Sequence, residues 1–181
     1  EIKMAVHRFV WIFDFLVNDI SIENLTALKK YILIWIDNFD RLHKNVTHDP
    51  YSIGERISSW LFFYGFSHKY LNFSKKEKLI LINSIKKQLT ILSNNLEYQG
   101  EFTNNHILNN GKAFYLAGEF LNVKEWKVFG FDILKSEFNN FFLDGFFIEN
   151  STHYQMIYAK SFMEMSLVCD FGHDLKLKKW F

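Results

Sequence analysis

The sequence predicts an all-α chain. Apolar residues recur at helical spacing almost throughout its 181 residues, and no stretch alternates long enough to specify a strand. Proline occurs once and glycine eight times, against 21 Phe, eight Tyr and five Trp, a profile of packed helices rather than of a turn-rich β fold. The 49% apolar content is ample for the core of one domain.

The first helix is expected from Ile2 to Asn18. A second follows Ser21, a preferred capping residue, and carries Leu25, Leu28, Ile32, Ile36 and Phe39 on one stripe. Leu42 to His48 reads as a linker. Asp49-Pro50 then opens a third helix, since proline at the first helical position loses no hydrogen bond; Ser52 with Glu55 is a competing capping box. Ile57, Trp60, Leu61 and Tyr64 share a face of that helix, and Gly65 is expected to end it.

Ser74 with Glu77 reads as a capping box for a fourth helix, with Ile82, Ile85, Leu89, Leu92 and Leu96 as its stripe and its end near Tyr98. After a polar break from Gln99 to Asn104, a fifth helix opens at Asn105-His106 and runs through Ala113, Tyr115 and Ala117. It is apolar on most sides and so should be buried. Asn122 with Glu125 opens a sixth, with Trp126, Phe129, Ile133, Leu134 and Phe138 facing inward. Asp144-Gly145 is a turn and Phe146 to Ile148 a short extended piece. A seventh helix opens near Ser151 and carries Tyr158, Phe162, Met165 and Cys169, the cysteine as a core residue. The third, fifth and seventh helices start at intervals of roughly fifty residues, which suggests stacked antiparallel αα-hairpins. Their N-termini would then gather at one end.

Charge and motif content exclude several classes of function. Lys+Arg 21 against Asp+Glu 20 gives a formal net charge of +1, with no bulk attraction for a nucleic-acid backbone or an anionic membrane. The longest apolar runs, Phe9 to Val17 and Tyr31 to Ile36, meet Asp14 and Asp37 too soon to span a bilayer. The lone Cys169 cannot form an internal disulfide. There is no His-Glu-x-x-His, no Cys-x-x-Cys and no phosphate-binding glycine loop, and His43 and His48 are weak ligands on spacing, so neither a metal nor a cofactor is expected. The first residues are helix-like and lack the pattern of a signal peptide, so the chain is expected to be a piece of a longer protein.

Three polar groups stand at the like-pointing helix starts: Asp49, Tyr51 and Arg56; Asn104, Asn105 and His106; and Glu149, Asn150, Ser151, His153 and Tyr154. Asp49, Asn105 and Ser151 also suit plain helix capping. Capping accounts less well for His106 and Tyr154, which are not preferred caps and can both transfer protons. A cluster of helix N-termini offers free N–H groups and partial positive charge, and so can hold a carboxylate without a basic surface. An acidic sugar is such a ligand. Trp60, Tyr64 and Tyr115 suit either sugar stacking or the core, the core being the usual place for such residues.

His48-Asp49-Pro50-Tyr51 with Glu55-Arg56-Ile57 and Ser59-Trp60-Leu61, then Asn105-His106-Ile107-Leu108 with Lys112-Ala113 and Ala117-Gly118, then Asp144-Gly145 with Phe147, Glu149, Ser151 and Tyr154, resemble in order and spacing the heparinase II/III-like polysaccharide lyases. The resemblance runs from about residue 48 to 170. It implies one incomplete (α/α) toroid of helical hairpins, followed in the family by a C-terminal β-sandwich that this chain does not contain, and it suggests a periplasmic or secreted protein. It further implies a β-elimination that cleaves an acidic polysaccharide beside a uronic acid. By the same resemblance Asn105 would neutralise the uronate carboxylate and Tyr154 would act as acid and as candidate base; His106, next in sequence, is a candidate to assist, though a histidine beside a cap is often structural. Arg56, Glu149 and Tyr51 are candidates for substrate binding, although Arg56 suits a solvated or structural ion pair at least as well, and Glu149 suits orienting Tyr154 or favouring the helix N-terminus. A phenol with a pKa near ~10 is a good acid but a poor base unless positive charge stabilises the phenolate, which Arg56 or a histidine would supply. Gln155 stands where the family often has histidine, and a further catalytic histidine of the sandwich has no counterpart here, so full activity would need the remainder of the protein. The alternative is a non-catalytic helical scaffold that binds a glycan or a protein partner.

Overall fold

The computed structural model describes residues 2–39, 47–98, 104–143, 146–147 and 151–168. Among them are eight helices and one two-stranded hairpin, in two compact units, Glu1–Glu97 and Tyr98–Phe181.

The first unit holds α1 (Ile2–Arg8), α2 (Trp11–Asn18), α3 (Ile22–Phe39), α4 (Pro50–Ser67) and α5 (Lys75–Ser93). The single helix expected from Ile2 to Asn18 is in fact two. Phe9 takes a left-handed conformation, φ 62°, which for a residue with a Cβ costs ~1–2 kcal/mol. Its ring offsets that cost by lying 1% exposed, edge-on to Trp35 at 6.0 Å and Trp60 at 5.4 Å. Trp11 Nε1 donates to Val6 O at 3.2 Å and so satisfies a carbonyl that the break leaves without a helical partner.

Local capping signals elsewhere in the unit are realised as the sequence predicts. Ser21 Oγ accepts from Asn24 N, and Asp49 accepts from Ser52 N with Pro50 following, so Asp49 and not Ser52 caps α4. Ser74 and Glu77 form a full capping box at α5. Two ends differ from expectation. Gly65 does not end α4, which continues to Ser67 with its cap residue His68 still right-handed, so no left-handed residue is needed there. α5 stops at Ser93 rather than near Tyr98, because the Asn94 and Asn95 side chains donate back to Thr90 O and Ile91 O and occupy carbonyls of the last turn.

α4 is buried on nearly every side from Ser52 to Leu61, and Trp60 lies in the core. Arg56 is buried there too, at 0% exposure. Its Nε donates to Gln88 Oε1 at 2.8 Å, Nη1 to His7 O at 2.8 Å and Nη2 to Thr47 O at 2.9 Å, while its Cζ lies 4.2 Å from the centre of the Trp35 ring. One guanidinium thus ties together the end of α1, the approach to α4, α5 and the aromatic core.

The second unit holds α6 (Asn105–Leu121), α7 (Lys124–Phe141), β1 (Phe142–Leu143), β2 (Phe146–Phe147) and α8 (Thr152–Ser166). α6 is buried from Ile107 to Gly118, as its apolar circumference predicts, and Tyr115 belongs to the core. Asn122 does not open α7. It ends α6 in a left-handed conformation, φ 53°, and Val123 N bonds back to Gly118 O at 2.9 Å, so the chain reverses at once. Phe129, expected inward, is 38% exposed, although its ring meets Phe114 edge-on at 4.9 Å.

β1 and β2 pair antiparallel, Phe142 opposite Phe147 and Leu143 opposite Phe146. The extended piece expected at Phe146 to Ile148 is therefore present at its first two residues. The turn at Asp144-Gly145, Ile148, the linker histidine His43 and Cys169 lie outside the described residues. No helix among the described residues is long and apolar enough to cross a membrane.

Glycines set how closely α6 and α7 approach. A Cβ at Gly130 would run into Tyr115 N and sit 2.6 Å from Gly111 O; one at Gly118 would run into Lys127 N. Gly130→Ala is expected to lower stability by about 1–3 kcal/mol, because backbone cannot yield as a side chain can. Gly65→Ala, with nothing within 4 Å, should raise it by roughly 0.5–1 kcal/mol. Urea denaturation of both variants checks the pair.

His7 Nδ1 accepts from Trp35 Nε1 at 2.9 Å, and burial first, then the Arg56 charge, hold its pKa below 6.5. The unfolded chain therefore takes up a proton at a pH where the folded chain does not. This contribution to stability is complete above pH 6.5 and falls as the pH drops from 6.5 toward the lowered value. Urea midpoints between pH 7.5 and 5.5 should decline less in His7→Asn, whose amide oxygen keeps the acceptor, than in the parent chain.

Candidate active site

The start of α6 shows how the sequence frees its polar residues. Asn104, not Asn105, is the cap: its Oδ1 accepts from His106 N at 2.9 Å and Ile107 N at 3.4 Å. Asn105 is thus the first helical residue, half-buried, and its amide makes no hydrogen bond among the described residues. His106 follows, also half-buried.

At the start of α8, Ser151 Oγ accepts from Tyr154 N at 3.5 Å, the capping role that its position predicts. Tyr154 is 40% exposed, its hydroxyl makes no hydrogen bond among the described residues, and the exposed His153 ring stands edge-on to it at 5.6 Å. Glu149 and Asn150 lie outside the described residues.

The directions of the helices follow from their contacts. Gly111 meets Ile133 and Gly118 meets Lys127, so residue numbers rise along α6 as they fall along α7. Phe138 faces Phe162 at 5.6 Å and Phe141 faces Tyr158 at 4.8 Å, so α7 and α8 are antiparallel as well. α6 and α8 therefore run parallel and open at the same end of the unit.

Their register is pinned by Lys112 Nζ on Glu164 Oε2 at 2.6 Å. At ~1.5 Å per residue, Asn105 lies ~10 Å before Lys112 and Tyr154 ~15 Å before Glu164, which leaves the two backbone positions about one helical turn apart along the axis. Neither helix has an acidic residue in its first turn, and the end that they share also carries the C-terminal end of α7 with the buried Glu137.

The remaining candidates lie in the first unit. Tyr51 is half-buried, its ring 4.8 Å beneath the Arg8 guanidinium. Arg56 has all three guanidinium nitrogens engaged inside that unit. Lys112 and Glu164 have no site role in the sequence reading. The signal that marks them is a lysine in the middle of an otherwise apolar helix, which needs a buried carboxylate from elsewhere in the chain. Among the described residues no group of three or more His, Cys, Asp or Glu side chains is placed to hold a metal ion.

The family model described as the heparinase II/III N-terminus matches residues 13–174 of the 181. No curated protein and no solved structure matches the chain significantly.

The ion pair yields an asymmetric prediction. Lys112 is 2% exposed and Glu164 19%, with Lys160 3.4 Å from the other carboxylate oxygen. Glu164→Leu takes the carboxylate from a buried ammonium and should cost about 3 kcal/mol, whereas Lys112→Met leaves a carboxylate that Lys160 still serves and should cost about 1 kcal/mol or less. Chemical denaturation of the two variants measures the difference.

Proposed function

The chain belongs to the heparinase II/III family as its N-terminal helical domain, and on that premise we propose that it is the helical part of a polysaccharide lyase that cleaves uronate-containing glycans by β-elimination. The observation that carries the reading is the parallel pair α6 and α8, which brings the Asn105 amide and the Tyr154 phenol to one end with two helix N-termini. In this reading the helices form an incomplete (α/α) toroid of hairpins. The site needs no metal and no cofactor.

The chemistry assigns each group a task. The C5 proton of a uronate is weakly acidic while the neighbouring carboxylate is charged. The Asn105 amide donates to that carboxylate, and the two helix N-termini add positive potential as the enolate develops. The base takes the C5 proton, the electron pair forms the C4–C5 double bond, and the C4–O bond breaks. Tyr154 gives its proton to the departing oxygen. Tyr154 is also the candidate for taking the C5 proton if positive charge holds it as phenolate, and His106, half-buried at the start of α6, is a candidate to assist. Tyr51 belongs to substrate binding in this scheme, as does Glu149. Arg56, enclosed among its partners, acts through the fold that carries Tyr51. Partners are the acidic polysaccharide and the C-terminal β-sandwich of the family architecture.

In the intact protein, incubation with a uronate polymer is expected to generate the ultraviolet absorbance of the C4–C5 double bond. Tyr154→Phe should reduce that rate by ~10²–10⁴ with circular dichroism unchanged, and Asn105→Ala by ~10²–10³. Undiminished cleavage by Tyr154→Phe removes the phenol from the mechanism. Failure to cleave any of a panel of uronate polymers leaves the non-catalytic scaffold as the better account.

A further inference from the structure

The formal net charge of +1 conceals an uneven distribution: from Ile57 to Leu96 the chain carries six lysines and one acidic residue, Glu77. Three of those lysines, Lys75, Lys76 and Lys86, stand on the solvent face of α5. We propose that this face is a binding surface for an acidic polysaccharide chain, one that includes none of the residues assigned to the elimination. The choice of a polysaccharide rests on the function proposed above; the positive charge and the length of the surface come from α5 itself.

The surface is the outer side of a helix whose inner side is core. Leu81, Ile85, Leu89 and Leu92 are buried. Lys75 and Lys86 are eleven residues apart, three helical turns, and so share the opposite side ~16 Å from each other along the axis. Leu79, 58% exposed, and the exposed Asn83 lie between them, and Lys76 stands beside the first. All three lysines are exposed, and none of their ammonium groups has a partner among the described residues. The one acid of the segment is engaged elsewhere. Glu77 Oε1 lies 2.9 Å from Lys29 Nζ on α3, and Oε2 accepts from Ser74 N at 2.7 Å. Those contacts, the lysine first, hold its pKa below the usual carboxylate value, so it is ionised and committed to α3 and the cap.

Helix stability does not account for these lysines. Lys75 and Lys76 occupy the first two positions of α5, where the partial positive charge of the helix favours acidic residues and opposes cations. They form no ion pair that offsets this. An anion laid along the face reverses the sign of the interaction, since it meets ammonium groups that otherwise repel one another and the helix start.

The occupant follows from the spacing and from what α5 has left to offer. A few lysines over ~16 Å match a polymer with one carboxylate on each sugar or every second sugar better than duplex DNA, which carries one negative charge per ~1.7 Å. The Asn83 amide, with no partner among the described residues, can exchange hydrogen bonds with sugar hydroxyls, and Leu79 gives the C–H face of a ring an apolar contact. A membrane surface takes up a helix through its apolar face, and that face of α5 is already buried in the first unit.

Calorimetry on the chain with polygalacturonate and alginate tests the proposal, with dextran as the uncharged polymer and duplex DNA as the other polyanion. The two uronate polymers are expected to bind at low ionic strength and to weaken as salt is added, and dextran is expected not to bind. Lys75→Gln with Lys86→Gln should weaken the uronate polymers by about tenfold and flatten the salt dependence. Lys124→Gln with Lys135→Gln removes the same charge from α7 and should leave affinity unchanged. Lys75→Gln takes a cation from a helix start, so the first pair should melt no lower than the parent chain, which separates lost binding from lost fold. Failure to bind either uronate polymer, equal binding of dextran, tighter binding of duplex DNA, or equal losses in the two double variants overturns the assignment. Cleavage of a uronate polymer by the intact protein, with parent-like binding in Lys75→Gln and Lys86→Gln, keeps the lyase and loses this surface. Binding that depends on α5, from an intact protein that cleaves no uronate polymer, does the reverse.

Discussion

A helix that runs antiparallel to two neighbours forces those neighbours to run parallel, and the second unit is built on that constraint. α7 returns along α6 because Asn122 adopts a left-handed conformation within a two-residue connection, and the glycines at 111, 118 and 130 let the two backbones close. α8 then returns along α7 through the Phe138–Phe162 and Phe141–Tyr158 contacts. Once both reversals are made, the starts of α6 and α8 have no choice but to share an end. The polar residues that the sequence places at those starts therefore lie at one end of the unit. Lys112 and Glu164 then hold the register along the parallel pair.

The first unit depends on a different device. Its helices meet around one buried guanidinium, and the acceptors of Arg56 include two backbone carbonyls, His7 O at the end of α1 and Thr47 O before α4. Carbonyls at such places have no helical partner and need a donor from elsewhere. Arginine suits the position because its planar fork reaches three acceptors in different directions while its face packs on Trp35. Arg56, a candidate for substrate binding or for a structural role in the sequence, thus has its three guanidinium nitrogens engaged inside the fold.

Features decided by a few adjacent residues are legible in the sequence alone. The Ser74–Glu77 capping box, the Asp49-Pro50 start of α4, the Ser151 cap of α8 and the all-round burial of α6 follow from hydrogen-bonding groups and apolar spacing within one or two turns. Features decided at a distance are not. The apolar periodicity from Ile2 to Asn18 is unbroken, so nothing local announces the reversal at Phe9, whose cost is offset only by tryptophans 26 and 51 residues further along the chain, Trp35 and Trp60. The choice of Asn104 over Asn105 as cap had the same character, since both are good caps and only the docking of α6 says which residue is the last outside the helix. Asn122 reads equally well as the start of one helix or the end of another, and the tight approach of α7 selects the end.

The sequence by itself determined the all-helical class, most helix starts, the family, and the presence of an amide, an imidazole and a phenol at helix N-termini. Hydrogen-bond capping, side-chain periodicity and residue type are local properties, which the chain carries whatever its partners do. The tertiary structure alone decided that α6 and α8 point the same way, that Lys112 finds Glu164, and that Arg56 is enclosed. Each of these depends on which distant surfaces meet when apolar area is buried, and no short window of sequence contains both sides of such a contact.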